Sequence, residues 1–218
     1  MSDHVVVVLA AGGSRRLGQA KQLLRRAGEP LVKRAVRLAL ATTPRRLLVV
    51  VGARATQVSA AVRAPGVEIV MNTHWREGLA SSVRAARDAL EADARGASRA
   101  LLLACDQPAL DAAHLQALLA AAAQADSGCS GTVHGARLGI PAVVTRARLA
   151  QATLQGDAGL RELLNALASR EVGRLDAPAL GFDLDTPADL DTAIASGWID
   201  APGVHAQACD AGALGVRD

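Results

Sequence analysis

The sequence predicts an α/β protein with a mostly parallel, mixed sheet and helices on both faces of it. Short runs of branched apolar residues alternate along the chain with longer amphipathic segments. The branched runs suit strands that are buried on both faces, whereas an apolar repeat of about 3.6 residues suits helices. Strands that alternate with helices in this way build a three-layer, Rossmann-like fold with right-handed crossovers.

The predicted strands and helices follow one another in a regular order. The first strand begins at Val5, in the run VVVVL. Further strands are predicted over residues 47–51, 67–71 and 100–104, and helices over residues 30–41, 56–63, 81–94 and 111–125. The pattern changes near residue 128, where a Gly-Ala-Arg-Leu-Gly turn joins strands over residues 128–134 and 140–145. The remaining predictions are helices over 159–168 and 188–195 and strands over 171–175 and 182–184.

Composition and charge exclude several classes of protein. The net charge is only +3, and no block of Lys and Arg is interleaved with aromatic residues, so we expect no nucleic-acid partner. No apolar stretch reaches the roughly 18 residues of a membrane span, and the N-terminus does not resemble a signal peptide. The three cysteines are widely spaced, which is typical of a reducing compartment. We therefore expect a cytoplasmic protein with no membrane association.

The first predicted strand leads into a turn that suits phosphate groups. After Leu9 come small residues, which let backbone N–H groups approach a ligand closely. These small residues are Ala10, Ala11, Gly12, Gly13 and Ser14. Arg16 and Lys21 follow, and fixed cations beside backbone amides are suited to binding phosphates. The spacing matches neither G-x-x-x-x-G-K-[ST] nor G-x-G-x-x-G, the two commonest phosphate loops.

The spacing L-A-A-G-x-S-x-R-x-G-x-x-K over residues 9–21 resembles a known nucleotide-binding signature. It is similar to that of the nucleotidyltransferases that include the molybdenum cofactor cytidylyltransferases and guanylyltransferases. The resemblance implies a nucleotidyltransferase fold in which residues 9–14 wrap a nucleotide triphosphate and Arg16 and Lys21 act on its phosphates as catalytic residues. We expect one domain over residues 1–197, with a nucleotide-binding half to about residue 110 and an acceptor-facing half over 111–197. A loose tail is expected over 198–218.

Asp106 is the first candidate metal ligand. It ends the apolar run LLLAC, at the edge of the sheet where ligands gather in open α/β folds, and a carboxylate there suits Mg²⁺. The segment Cys-Asp-Gln-Pro over residues 105–108 resembles a family motif, which implies that Asp106 holds the magnesium that bridges the nucleotide phosphates. The alternative is a helix cap, a role that Asp111 suits better.

Asp183 and Asp185 have the spacing of two residues on one face of a strand. The run D-L-D-T-P-A-D-L, which begins at Asp183, resembles a segment near the C-terminus of these transferases. This resemblance implies a second contact with the metal from Asp185. A helix cap, formed by Asp185 or Thr186 ahead of Pro187, is the alternative.

Residues 72–82 resemble the family segment N-x-x-W-x-x-G-x-x-x-S, which lies beside the nucleotide base and sugar. The resemblance implies nucleotide contacts from Asn72, Gly78 and Ser82. Within the same segment, the side chain of Trp75 suits either stacking on a ring of the ligand or packing in the core. The second role is the commoner one for a lone tryptophan.

Two segments resemble elements on the pterin-facing side of the family. These are G-x-P over residues 139–141 and G-D-x-G-L-R over residues 156–161. They imply acceptor contacts from Asp157 and Arg161, although a Gly-Asp-Ala-Gly sequence is also ordinary turn chemistry.

The implied reaction is Mg²⁺-dependent transfer of CMP from CTP to the terminal phosphate of molybdopterin, with release of pyrophosphate. Recipient molybdoenzymes or their chaperones are implied as further partners. GTP as donor, or a sugar phosphate as acceptor, is an alternative within the same fold. A non-catalytic carrier or chaperone for molybdopterin is another. A dinucleotide oxidoreductase would carry an acidic residue after the second strand, where this chain has Gly52, Ala53 and Arg54.

Overall fold

The computed structural model describes residues 3–92, 96–156 and 159–202. The strands in these residues are β1 (His4–Leu9), β2 (Arg25–Arg26), β3 (Glu29–Pro30), β4 (Leu47–Val51), β5 (Val67–Met71), β6 (Arg99–Ala104), β7 (Ser130–His134), β8 (Arg137–Thr145) and β9 (Gly173–Asp176). The helices are α1 (Leu31–Leu40), α2 (Ala55–Val62), α3 (Leu79–Glu91), α4 (Ala112–Gln124), α5 (Arg146–Gln151), α6 (Gly159–Asn165) and α7 (Pro187–Ala195). None of the described helices has the length and apolar character needed to cross a bilayer.

Seven of the strands form one mixed sheet, as the sequence predicts. Their order is β5-β4-β1-β6-β8-β7-β9, and β2 and β3 form a separate hairpin. Strand β1 is parallel to both of its neighbours, β4 and β6. Strand β8 runs antiparallel to β6 and to β7, whereas β9 is parallel to β7. One strand therefore opposes the other six, which gives the predicted, mostly parallel sheet.

Apolar side chains on the two faces of the sheet form two separate cores. Val5 and Val7 of β1 pack with Val83 of α3 on one face. Val6 and Val8 pack on the other face, in the core that contains most of the buried residues of α1 and those of α2 and α4. The alternation arises because successive side chains of a strand point to opposite faces. The continuous valine run thus fills both cores and produces the three layers.

Two local predictions need correction, and two elements were not predicted. Residues 182–184 are not a strand; the Leu184 N–H donates a long hydrogen bond to the Asp106 carbonyl (3.3 Å). The carboxylate of Asp189 takes the next two amides, of Asp185 and Thr186, to cap α7. The predicted turn over 135–139 is shorter than expected, because β8 already begins at Arg137. Helix α5 and the β2–β3 hairpin were not predicted.

The C-terminal segment packs back onto the chain near the first loop. Leu31, Leu184, Ala193 and Ile199 form a third, small core. Next to this core, Asp200 connects the C-terminal segment to the β2–β3 turn. Its carboxylate accepts hydrogen bonds from the backbone N–H groups of residues 27 and 28, each at 2.8 Å. The packed part of this region therefore extends past residue 197, where the tail was expected to begin. Residues 203–218 lie outside the described residues.

Replacing Asp200 with alanine should lower the free energy of unfolding by about 1–3 kcal/mol, the usual size for hydrogen bonds to a charged group. The hairpin turn would lose the acceptor for two N–H groups. Urea denaturation monitored by circular dichroism measures the change. Asp191→Ala, at an exposed position on α7, is the matched control and should change stability by less than about 0.5 kcal/mol. Equal effects of the two substitutions would contradict this role of Asp200.

Candidate functional site

Sheet topology brings two loops to one place. Strands β1 and β6 are parallel neighbours, and their last residues, Leu9 and Ala104, are paired in the sheet. The loop that begins at residue 10 and the loop that begins at residue 105 therefore leave the same edge side by side. This is the position, at the carboxyl ends of the strands, where open α/β sheets bind ligands. A cleft of about 270 Å³ lies between the loops.

A buried glutamine fixes the loop that follows β1. Gln22 donates hydrogen bonds from its amide nitrogen to the carbonyl oxygens of Ala10 (3.2 Å) and Gly12 (2.6 Å). Ser14 has a positive φ of 48° and accepts a hydrogen bond from the Lys21 backbone N–H (3.2 Å). The loop therefore curls back on itself and carries Lys21 to the cleft. Gln22 was not predicted from the sequence to be part of the site.

Trp75 packs against this loop from the side. A Cβ atom on Gly13 would lie 2.8 Å from the indole ring, and one on Gly52 would lie 2.7 Å from the Trp75 Cβ, so both positions require glycine. The guanidinium groups of Arg76 and Arg15 lie 4.4 and 5.8 Å from the ring centroid. The indole is partly buried against the core, in agreement with the anchoring role expected of it. Its ring also lines the cleft.

Four charged side chains from three separate segments meet, and two of them, Lys21 and Asp106, line the cleft. The Lys21 Nζ lies 2.5 Å from Asp106 Oδ2 and 3.0 Å from Asp185 Oδ1. Arg16 Nη2 lies 2.7 Å from Asp185 Oδ2. All four are the residues singled out in the sequence for phosphate and metal contacts. Asp106 and Asp185 lie 85 and 164 positions after Lys21 in the chain, yet all three share one small polar site.

The ion pairs dominate the electrostatics of this site. Burial disfavours the charged ammonium of Lys21, but Asp106 and Asp185 outweigh that effect and raise its pKa above the ordinary value. Lys21 therefore stays protonated throughout the physiological range. No group of three or more His, Cys, Asp or Glu side chains with the arrangement of a metal site occurs in the described part of the chain. A metal at this position would have Asp106 and Asp185 as its carboxylate ligands.

Asp183 and Asp185 do not lie on a strand, contrary to prediction. Asp183 lines a second cleft of about 480 Å³, together with Gln107, His134 and Arg161. Burial, and then the negative charge of Asp106, raise the pKa of Asp183 to about 6. Asp106 lines both clefts. The two clefts therefore meet at this carboxylate.

The segment over residues 72–82 is arranged by hydrogen bonds within the protein. The buried amide of Asn72 donates to the hydroxyls of Ser81 (2.8 Å) and Ser82 (3.0 Å) and accepts from the His74 N–H (2.9 Å). Asn72 thus holds the first turn of α3 in place and is not among the residues that line the first cleft. Gly78, with φ of 95°, and Ser82 do line it.

The predicted acceptor residues have different outcomes. Arg161 lines the second cleft, at an exposed position on α6. Asp157 lies outside the described residues. At the helix that follows Asp185, the cap is Thr186, whose hydroxyl accepts from the Asp189 N–H in a capping box. Asp185 is therefore not the helix cap, which was the alternative role considered for it. Likewise, the cap of α4 is Asp111 and not Asp106.

Side chains that were not predicted hold the loop after Asp106. Gln107 donates to the carbonyl oxygens of Leu180 (3.0 Å) and Ile140 (3.3 Å). From the other side, Arg34 Nη2 donates to the Leu110 carbonyl (2.5 Å) and Arg26 donates to the Pro108 carbonyl. These hydrogen bonds join residues far apart in the chain, so a local sequence pattern does not predict them.

Cys105, next to Asp106, is not a nucleophile. The thiol is buried, and burial raises its pKa to about 12. The reactive thiolate is therefore suppressed at neutral pH. Chemistry at this site depends on the charged groups.

Comparison with known proteins identifies a family. Residues 6–172 match a family model described as the MobA-like NTP transferase domain. The chain is 38% identical over 125 residues to the bifunctional protein GlmU of Burkholderia lata, a stretch that covers 56% of this chain and 26% of that protein. This chain thus spans about a quarter of the length of the curated relatives it matches.

Solved structures share the fold over most of the chain. A homologue of Mycobacterium tuberculosis Rv0371c, from Mycobacterium sp. strain JC1, has a TM-score of 0.72 at 30% identity, with 89% of this chain and 96% of that chain covered. Rv0371c itself, solved in complex with manganese, gives 0.68 at 24% identity, with 88% and 97% covered. Molybdopterin-guanine dinucleotide biosynthesis protein A from Archaeoglobus fulgidus gives 0.60 at 21% identity, with 88% and 98% covered. The last two likenesses concern the fold alone.

Replacing Arg34 with glutamine should loosen the loop that carries Asp106, because the Leu110 carbonyl would lose its charged donor. We expect amide hydrogen exchange over residues 106–111 to accelerate about tenfold, which corresponds to about 1.4 kcal/mol of local opening free energy. Mass spectrometry of peptides from the intact chain measures it. Arg37→Gln is the matched control, since Arg37 lies on the same helix and pairs with Glu29 at the surface. Unchanged exchange in the Arg34 variant would show that this contact does not hold the loop.

Proposed function

This chain belongs to the MobA-like NTP transferase family, and from that premise we propose that it transfers CMP from CTP to the terminal phosphate of molybdopterin. Pyrophosphate is the second product. The observation that carries the proposal is the convergence of Arg16, Lys21, Asp106 and Asp185 at the carboxyl ends of β1 and β6.

The loop after β1 is suited to the triphosphate. Its backbone over residues 11–14 lies between the strand end and the two cations, and N–H groups that face a cleft favour bound anions. Lys21 and Arg16 would contact the β- and γ-phosphates and neutralise the pyrophosphate as it leaves. Gln22 contributes by fixing the conformation of this loop through hydrogen bonds to two of its carbonyls.

The carboxylates fit a divalent cation. Asp106 and Asp185 are hard oxygen donors, and the spacing that lets them contact one ammonium group suits a shared metal ion. Mg²⁺ is ordinarily bound by one or two carboxylates together with substrate phosphates, which is the ligand set this site offers. When bound, the metal would withdraw charge from the phosphate oxygens.

The second cleft is suited to the acceptor, because it meets the first at Asp106. An oxygen of the acceptor phosphate would attack the α-phosphorus of CTP, and the bond from that phosphorus to the bridging oxygen of pyrophosphate would break. A phosphate monoester is already a nucleophile near neutral pH, so the protein has to align the groups and neutralise charge. Arg161, and Asp157 by its resemblance, would bind the body of the acceptor.

The choice of CTP rests on resemblance. The signature over residues 9–16 and the segment over 72–82 are more similar to the cytidylyl branch than to the guanylyl branch. Gly78 and Ser82, which line the first cleft, would lie near the base and sugar. GTP is the alternative donor, and a sugar phosphate is the alternative acceptor.

Replacing Lys21 or Asp106 with alanine should lower turnover at least about 100-fold, roughly 2.7 kcal/mol of barrier. The Lys21 substitution removes a positive charge at the phosphates in the transition state. The Asp106 substitution removes a carboxylate ligand of the metal that would neutralise those phosphates. Release of pyrophosphate from CTP, with molybdopterin as acceptor, measures turnover. Asp191→Ala is the control, at an exposed position on α7 outside both clefts.

The same assay separates the alternatives. GTP in place of CTP tests the guanylyl reaction, and glucose 1-phosphate in place of molybdopterin tests a sugar-phosphate acceptor. A carrier would bind molybdopterin and release no pyrophosphate with any nucleotide. Near wild-type turnover in the Lys21 or Asp106 variant would overturn the roles assigned to those residues.

A further inference from the structure

Lys21 has the same two partners that a metal would need. Its ammonium lies 2.5 Å from one carboxylate, of Asp106, and 3.0 Å from the other, of Asp185. The Lys21 and Asp106 side chains are only 16% and 15% exposed, so solvent weakens their attraction little. A divalent cation that binds both carboxylates through these oxygens would displace this ammonium.

The same contacts oppose a nucleotide that binds without metal. Lys21 and Arg16 are paired with Asp106 and Asp185 in this arrangement, and the carboxylate of Asp183 adds negative charge nearby. If phosphates alone drew the cations away, two carboxylates would be left close together without a counter-charge. Removing one partner of a partly buried ion pair is costly, because the other charge stays desolvated.

We propose that Lys21 is an internal competitor that makes metal and nucleotide bind cooperatively. This inference rests on the proposed function. Together, the two ligands complete an exchange in which Lys21 moves from the carboxylates to the phosphates and the metal takes its place. Metal alone would leave the Lys21 ammonium without a negative partner, and nucleotide alone would leave the carboxylates without a positive one. The coupling is reciprocal, so CTP tightens metal binding by the same factor by which metal tightens CTP binding.

The proposal makes an unusual prediction about a damaging substitution. Lys21→Met removes the competitor and nearly preserves the volume of the side chain. It should tighten the binding of Mn²⁺ alone by at least about tenfold, although it removes a phosphate contact. In the wild-type protein, CTP should tighten Mn²⁺ binding at least about tenfold, and in Lys21→Met this effect should fall below about threefold.

Electron paramagnetic resonance of free Mn²⁺ measures these affinities in the full-length protein, with and without CTP and with no acceptor present. The values with CTP are corrected for the metal that CTP binds in solution. Lys21→Arg, which keeps the positive charge, should keep the weak binding of Mn²⁺ alone. Arg16→Met should tighten Mn²⁺ binding less than Lys21→Met, because Arg16 is paired with Asp185 only. Thermal unfolding verifies that each variant is folded, and a failure of Lys21→Met to fold transfers the test to Lys21→Gln.

The outcomes separate this inference from the proposed function. If the wild-type protein binds no Mn²⁺ even with CTP, or if Asp106→Asn leaves that binding unchanged, the metal site itself is wrong. If the wild-type protein binds Mn²⁺ with CTP but the folded Lys21→Met variant binds Mn²⁺ alone no more tightly than wild type, the competitor role of Lys21 is overturned. Tighter binding in Lys21→Met, with a reduced effect of CTP, supports the proposal.

Discussion

The parallel pairing of β1 with β6 is the constraint on which the site depends. Because Leu9 and Ala104 are paired at the ends of these strands, the glycine-containing loop and the loop of Asp106 start side by side. Lys21 then needs only the short curl after Ser14 to reach Asp106. A change in the order of the strands would separate these groups even if every motif were kept.

The C-terminal region contributes Asp185 to the site. The capping box at Thr186 and Asp189 turns the chain into α7 and leaves the Asp185 carboxylate directed to Lys21 and Arg16. The small core around Leu31 and Ile199 attaches this segment close to the first loop. Charged groups from both ends of the chain thus lie on one scaffold, which is the preorganisation that phosphoryl transfer needs.

The sequence predicted most of this fold because its signals are local. Valine runs and amphipathic repeats identified the central strands and helices. Arg16, Lys21, Asp106 and Asp185 were singled out by the resemblance of their segments to family motifs, together with their positions after predicted strands. The two-residue spacing of Asp183 and Asp185 misassigned the segment over 182–184 as a strand, whereas the amides of the next two residues, Asp185 and Thr186, bond to Asp189 at the start of α7. Gln22, Gln107 and Arg34 were missed because each acts by donating to backbone carbonyls. Every residue has a backbone carbonyl, so such a contact leaves no pattern of residue types in the sequence.

Crystals of the protein grown with CTP and MnCl₂ would test the central claim most directly, through the anomalous signal of manganese. The account predicts one anomalous peak in contact with carboxylate oxygens of both Asp106 and Asp185, with the Lys21 ammonium on a phosphate of CTP. Manganese bound elsewhere, or CTP bound away from the loop over residues 10–14, would contradict it.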